Sequence, residues 1–199
     1  MRRHNILKMS AGLVLSLGLL GAPALASAAT ANTTVSSSLG SVISLFTTSG
    51  TVNVNASPTG AGVQTISNDT VTISTNDPAG YTLQLAESTA SSTLTSGSNT
   101  IAASTGTQTT PVAETANSWG YRVDGVGGFG AGPTSSQSNA AIGSIKFAAV
   151  PATGSPNTIL TTAATASNNA TSVWYGVAVN TTAPSGTYTN SVTYTATAN

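Results

Sequence analysis

Thr171-Ser-Val-Trp-Tyr-Gly-Val-Ala-Val-Asn180, a Thr-Thr-Ala-Pro-Ser-Gly turn, and Thr187-Tyr-Thr-Asn-Ser-Val-Thr-Tyr-Thr-Ala-Thr-Ala-Asn199 are the stretch whose reading decides the fold. In the second arm Tyr188, Val192, Tyr194, Ala196 and Ala198 share one parity, and Thr187, Thr189, Ser191, Thr193, Thr195 and Thr197 the other. Successive strand side chains point to opposite faces, so this pattern predicts a half-buried strand with a threonine face in water. The first arm sets Val173, Tyr175, Val177 and Val179 against Trp174, Gly176 and Ala178. Pro184 and Gly186 break the chain between the arms, which predicts a terminal β-hairpin. Thr70–Thr75 and Tyr81–Leu85 repeat the device around Pro78 and Gly80, with a tyrosine again near the start of the second arm.

The N-terminus reads differently. Arg2, Arg3 and Lys8 precede an apolar run from Ala11 to Leu20, and Pro23 then precedes Ala24-Leu25-Ala26 and Ala26-Ser27-Ala28, two small-x-small cleavage sites. That order is the order of a secretory signal, and the run is too short to anchor in a bilayer. We expect residues 1–28 to be a cleaved signal helix, cut after Ala26 or Ala28. Residues 29–199 are then one exported domain, extracellular and at the cell surface or wall.

Removing the leader leaves Arg122 and Lys146 as the only cations against five carboxylates, Asp69, Asp77, Glu87, Glu114 and Asp124. So few cations neither neutralise phosphates nor hold anionic headgroups, which argues against nucleic acid and, after signal cleavage, membrane as partners. There is no cysteine. An exported domain without disulfides depends on packing and on its backbone hydrogen-bond ladder. Large aliphatic residues are sparse, but the low charge and regular β-branched alternation favour a folded, threonine-rich β protein over a disordered one.

Further strands are expected at Ser41–Phe46, Thr51–Asn55, Asn117–Asp124, Ala141–Val150 and Asn157–Thr162, with short or edge strands within Ser88–Gln108. Ser57–Gly62 and the glycine-rich Gly125–Ser138 read as loops, the latter long enough to bind a ligand or simply to be mobile. No window after residue 28 carries a capped helical period. The expected fold is all-β: a single antiparallel β-sandwich of Ig-like or Greek-key type.

Chemistry is poorly provided for. The only histidine, His4, lies in the leader, so no serine or cysteine nucleophile has an imidazole partner, and a zinc site has neither imidazole nor thiolate. The five acids are scattered, indicating no glycosidase pair, and no calcium-loop spacing occurs around Asp69, Asp77 or Asp124, which read as turn residues. We expect no enzyme, no cofactor and no metal site. The aromatic residues remain as ligand candidates. Trp119 and Tyr121 share parity with Val123 and read as core, whereas Trp174 lies opposite the valine face of its strand. Trp174 is therefore expected to be the more exposed tryptophan, either covering Gly176 or offering a stacking surface to sugar, with the structural, packed reading ahead of the ligand one. Any ligand site is sought there first, then at Trp119 and Tyr121.

Across Val71–Leu85 and Gly186–Ala196 the chain resembles the WxL-type cell-surface domains of monoderm bacteria, β-rich modules that follow a signal peptide. Their Gly-Trp-x-Leu is matched by Gly80-Tyr81-Thr82-Leu83, and their final Trp-x-Leu by Tyr194-Thr195-Ala196, with tyrosine for tryptophan at both places and alanine for the second leucine. The resemblance implies non-covalent association with the cell wall. The expected function is thus structural, wall-associating or adhesive, with a cell-wall polymer or surface glycan as partner. The alternative is a self-assembling subunit of a surface layer or pilus-like fibre whose partner is a copy of itself, because the strands lack the lysines that usually protect sheet edges.

Overall fold

The computed structural model describes residues 31–199, and the expected signal segment lies outside the described residues. The chain divides between Ser38 and Leu39, and Leu39–Asn199 is a compact unit. Its strands are β1 (Ile43–Thr47), β2 (Val63–Thr75), β3 (Tyr81–Glu87), β4 (Leu94–Ser96), β5 (Asn99–Ala103), β6 (Val112–Ala113), β7 (Ser118–Arg122), β8 (Gln137–Ala140), β9 (Lys146–Phe147), β10 (Asn157–Thr161), β11 (Ala166–Val179) and β12 (Val192–Ala198). No helix occurs among the described residues, so the all-β expectation holds.

The largest sheet has seven strands in the order β1-β2-β11-β7-β5-β4, with β8 also on β2. All its pairings are antiparallel except β5 with β7, which is parallel. A three-stranded antiparallel sheet runs β10-β3-β12, and β6 pairs β9.

Neither expected hairpin forms. β11 pairs β2 and β7, while β12 pairs β3, so the terminal arms lie in different sheets. The same holds for β2 and β3. Each Pro-x-Gly turn instead carries the chain from the large sheet to the small one, and the four arms pair crosswise in sequence, β2 with β11 and β3 with β12. Alternation specifies a strand with one buried face; it does not say whether the next strand lies beside that strand or across the core from it. At the first turn Gly80 has φ 83, and a Cβ there would stand 2.3 Å from Thr162 O, so the chain passes closely under its neighbour.

The inward faces of both sheets supply one apolar cluster. Val71, Ile73, Tyr81, Leu83, Leu85 and Val173 are completely buried in it. Burying an aliphatic or aromatic side chain of this size is worth roughly 1.5–3 kcal/mol. Part of the other face of the large sheet is covered too. Gly176 of β11 sits opposite Gly120 of β7, and the Phe147 ring fills the space over the pair. A Cβ on Gly176 would come 2.5 Å from Phe147 Cζ, so glycine is required there. Phe147, Ile66 and Trp174 form a second cluster, with Ile145 against it.

Arg122, 2 % exposed, fastens the glycine-rich loop. Its Nε donates to Asp124 Oδ1 at 2.9 Å, and its Nη2 donates to the carbonyls of Phe129 and Gly130. A buried cation needs such complete pairing. One of the two cations among the described residues therefore serves the fold.

Candidate functional site

β2 has thirteen residues and is longer than either strand on its outer edge. β1 pairs with Val71–Thr75, and β8 with the stretch from Gln64 to Ile66. Between them the chain leaves the edge of the sheet. Thr48 N still donates to Thr70 O at 2.9 Å, and Ser49 N to Asp69 Oδ1 at 3.2 Å. From Thr51 the chain becomes an extended strap that turns Val52, Val54 and Ala56 onto the core while Thr51, Asn53 and Asn55 stay exposed. The strap is tied again at its far end, where Thr65 Oγ1 donates to Asn55 O and Ser57 N donates to Asn139 Oδ1 at 2.6 Å. Among the described residues, the backbone N–H groups of Val52–Ala56 have no hydrogen-bond partner. Alternation correctly predicts an extended segment at Thr51–Asn55. The ladder expected of a strand is missing, because β8 occupies that part of the β2 edge.

A cleft of about 880 Å³ lies beside the strap. Its floor is the inward face of the large sheet: Leu94 of β4, Ile101 of β5, Trp119 of β7, and Tyr175, Val177 and Val179 of β11. One wall is Ser49–Ala56, and the other runs from Ala183 to Val192 with Tyr194. This second wall is braced by a mutual pair of backbone bonds between Thr189 and Thr95, each 3.0 Å, and by Asn190 Nδ2 donating to Ser91 O.

The wall ends in a free strand edge. Among the described residues, β12 is hydrogen-bonded to β3 alone. Ser191 O accepts from Ser88 N, and Asn199 N donates to Gly80 O, so odd-numbered residues of this stretch bond toward β3. Antiparallel ladders alternate, so the N–H and C=O groups of Val192, Tyr194, Ala196 and Ala198 point the other way, where no described strand is hydrogen-bonded to them. The side chains of these four residues are only half-buried.

The groove is almost without charge. Asp69 is its sole ionisable acid or base apart from tyrosines, and burial raises its carboxyl pKa above the usual value. The hydroxyls of Tyr175 and Tyr194 meet at 2.7 Å near that end, and burial holds both pKa values well above the ordinary phenol. The site offers apolar surface, a row of backbone donors and acceptors, and neutral hydroxyls. This is the chemistry that holds an extended polypeptide.

The three aromatic candidates separate. Trp119 is buried, but its ring belongs to the groove floor, fixed by Nε1 donating to Ser92 O at 2.9 Å. Tyr121 is completely buried away from the groove. Its hydroxyl donates to Gln108 Oε1 and accepts from Asn157 Nδ2, each at 2.8 Å, and burial raises its pKa to about 12. Trp174 does lie opposite the valine face, as expected, yet it is 6 % exposed, packed with Ile66 and Phe147. Both tryptophans are buried, Trp174 at 6 % and Trp119 at 4 % exposed; Phe147, from a remote part of the chain, packs on Trp174, and it is Phe147, not Trp174, that covers Gly176. The small residues Gly120, Gly176 and Ala178 were the sequence signal that something approaches closely there. Val52, Tyr188, Val192 and Tyr194, which shape the groove walls, were not singled out as a site. Compared with known protein families, curated proteins and solved structures, the chain matches none.

Proposed function

We propose that this chain is an exported, non-enzymatic surface protein with a structural role, and that it works by accepting an extended polypeptide in the groove between β12 and the strap. The observation that carries the reading is the free β12 edge over an apolar, nearly uncharged floor. An unpaired edge beside buried apolar surface supports strand addition, in which backbone bonds give affinity and alternate side chains fill the cleft. The fold proposed with it is an Ig-like β-sandwich in which the three-stranded sheet and the strap together form the second layer. The leader supports export, and resemblance to WxL-type domains supports a place at the cell wall. Wall attachment by sugar stacking at Trp174 is disfavoured by the burial of that ring.

The reading is tested by amide hydrogen exchange on the exported chain in dilute solution. An alternating Val/Thr peptide should slow exchange at Val192 and Tyr194, and soluble peptidoglycan fragments should not. Slowing by the fragments, with none by the peptide, would replace strand addition by glycan binding.

A further inference from the structure

The large hydrophobic side chains most exposed in the described structure are Val35, Leu39, Val42 and Phe46, all at the N-terminal end. Ala31–Leu39 has no secondary structure, carries no charged residue, and is exposed throughout. Val35 is 90 % exposed and Leu39 82 %. They share parity, so in an extended chain both point to one side, roughly 13 Å apart at the rise of a strand. Leu39, at the start of the compact unit, leaves apolar surface in water that a partner could bury, and Val35 continues that apolar parity toward the N-terminus.

The compact unit takes hold of the chain at Gly40–Val42. Asn76 Nδ2 donates to Gly40 O, Val42 N donates to Asn76 Oδ1, and Asn76 N donates to Val42 O. Asn76 follows the C-terminal end of β2. The groove extends toward the opposite end of β2, where Val179 pairs with Val63 and Pro58 lies in its lining. The root of the arm thus lies beyond one end of a strand about 40 Å long, and the groove runs from Asp69, midway along it, toward the other end.

From these observations, and resting on the strand-acceptor reading above, we propose that the groove receives the N-terminal arm, residues 31–39, of a second copy of this chain. Val35 and Leu39 enter the floor beside Trp119 and Val177, and the arm backbone pairs with Val192 and Tyr194. Charge agrees: the arm has none, and the groove lining holds a single carboxyl, Asp69. A donor and an acceptor on different parts of the surface make a head-to-tail contact, which propagates into a fibre unless the rotation per copy closes a ring.

The absence of cysteine allows a direct test. Leu39→Cys and Val192→Cys are made in separate full-length chains, exported, mixed and oxidised. The expected product is a disulfide-linked pair containing one of each, lost when Thr195→Cys, on the exposed face of β12, replaces Val192→Cys. In the cysteine-free chain, the double substitution Val35→Asp and Leu39→Asp should abolish fast-sedimenting fibres while leaving the folded monomer, because both positions are exposed. An added peptide of residues 31–41 should compete with cross-linking. Cross-linking only within a monomer that carries both cysteines would overturn the proposal in favour of self-insertion. Binding of an unrelated alternating peptide, with no capture of residues 31–41, would overturn the proposal and leave the groove reading standing. Failure of both peptides would remove the reading itself.

Discussion

The two halves of β11 and its neighbours face very different partners. Around Val173, the inward face meets β3, whose Tyr81, Leu83 and Leu85 are completely buried. Around Val177 and Val179, the inward face meets the strap, whose Val52, Val54 and Ala56 are only half-buried. Both halves use alternating, β-branched chain. The difference lies in the backbone. β3 is bonded on both sides, by β10 and β12, and that ladder holds its side chains down. The strap is tied at its ends and unpaired between them. Apolar pattern brings a segment to the core, but shared hydrogen bonds decide whether it seals it.

Substitution should expose this difference most strongly. Leu83→Ala leaves a cavity in the sealed half and should cost about 3 kcal/mol, whereas Val54→Ala, on a strap that can settle, should cost about 1 kcal/mol or less. Denaturant unfolding measures both, and equal costs would break the comparison. A second effect separates buried carboxyls by region. Glu114 is 4 % exposed, accepts a hydrogen bond from Ser118 Oγ, and has its pKa raised by burial to about 7. Between its unfolded value of 4.5 and that value the folded chain keeps a proton that the unfolded chain releases, so its contribution falls as pH rises through this window. Raising the pH from about 5 to about 8 should cost on the order of 2–3 kcal/mol through Glu114, and Glu114→Gln should flatten that slope. Glu87, at the end of β3, is raised to about 7 by burial as well, so the double variant with Glu87→Gln should be flatter still. Asp69→Asn in the groove wall should alter the profile less, and a larger change there would place the tighter burial on the groove side. The smallest effect is local. Amides of Val52–Ala56 should exchange on the order of 100-fold faster than those of Thr193 and Thr195, which face β3.

Much of this was legible from residue order. The parity of Val173, Tyr175, Val177 and Val179 gave the inward face of β11, and Trp119 with Tyr121 gave that of β7. What residue order did not contain was the identity of the neighbour. Pro78 and Gly80, or Pro184 and Gly186, break a strand equally well whether the next one lies alongside or across the core. Pairing of β2 with β11 is a contact across roughly a hundred residues, and no local pattern encodes it. The site was hidden for the same reason. Trp174 looked free because Phe147 could not be seen above it, and Thr51–Asn55 looked like an ordinary strand because β8 could not be seen to replace it.

The most direct measurement is amide hydrogen exchange at Val192 and Tyr194 in the folded chain, compared between dilute and concentrated solution. The groove account predicts open-edge exchange when dilute and marked slowing when concentrated, with Thr193 and Thr195 protected throughout. Rates at Val192 and Tyr194 that do not change with concentration would contradict it.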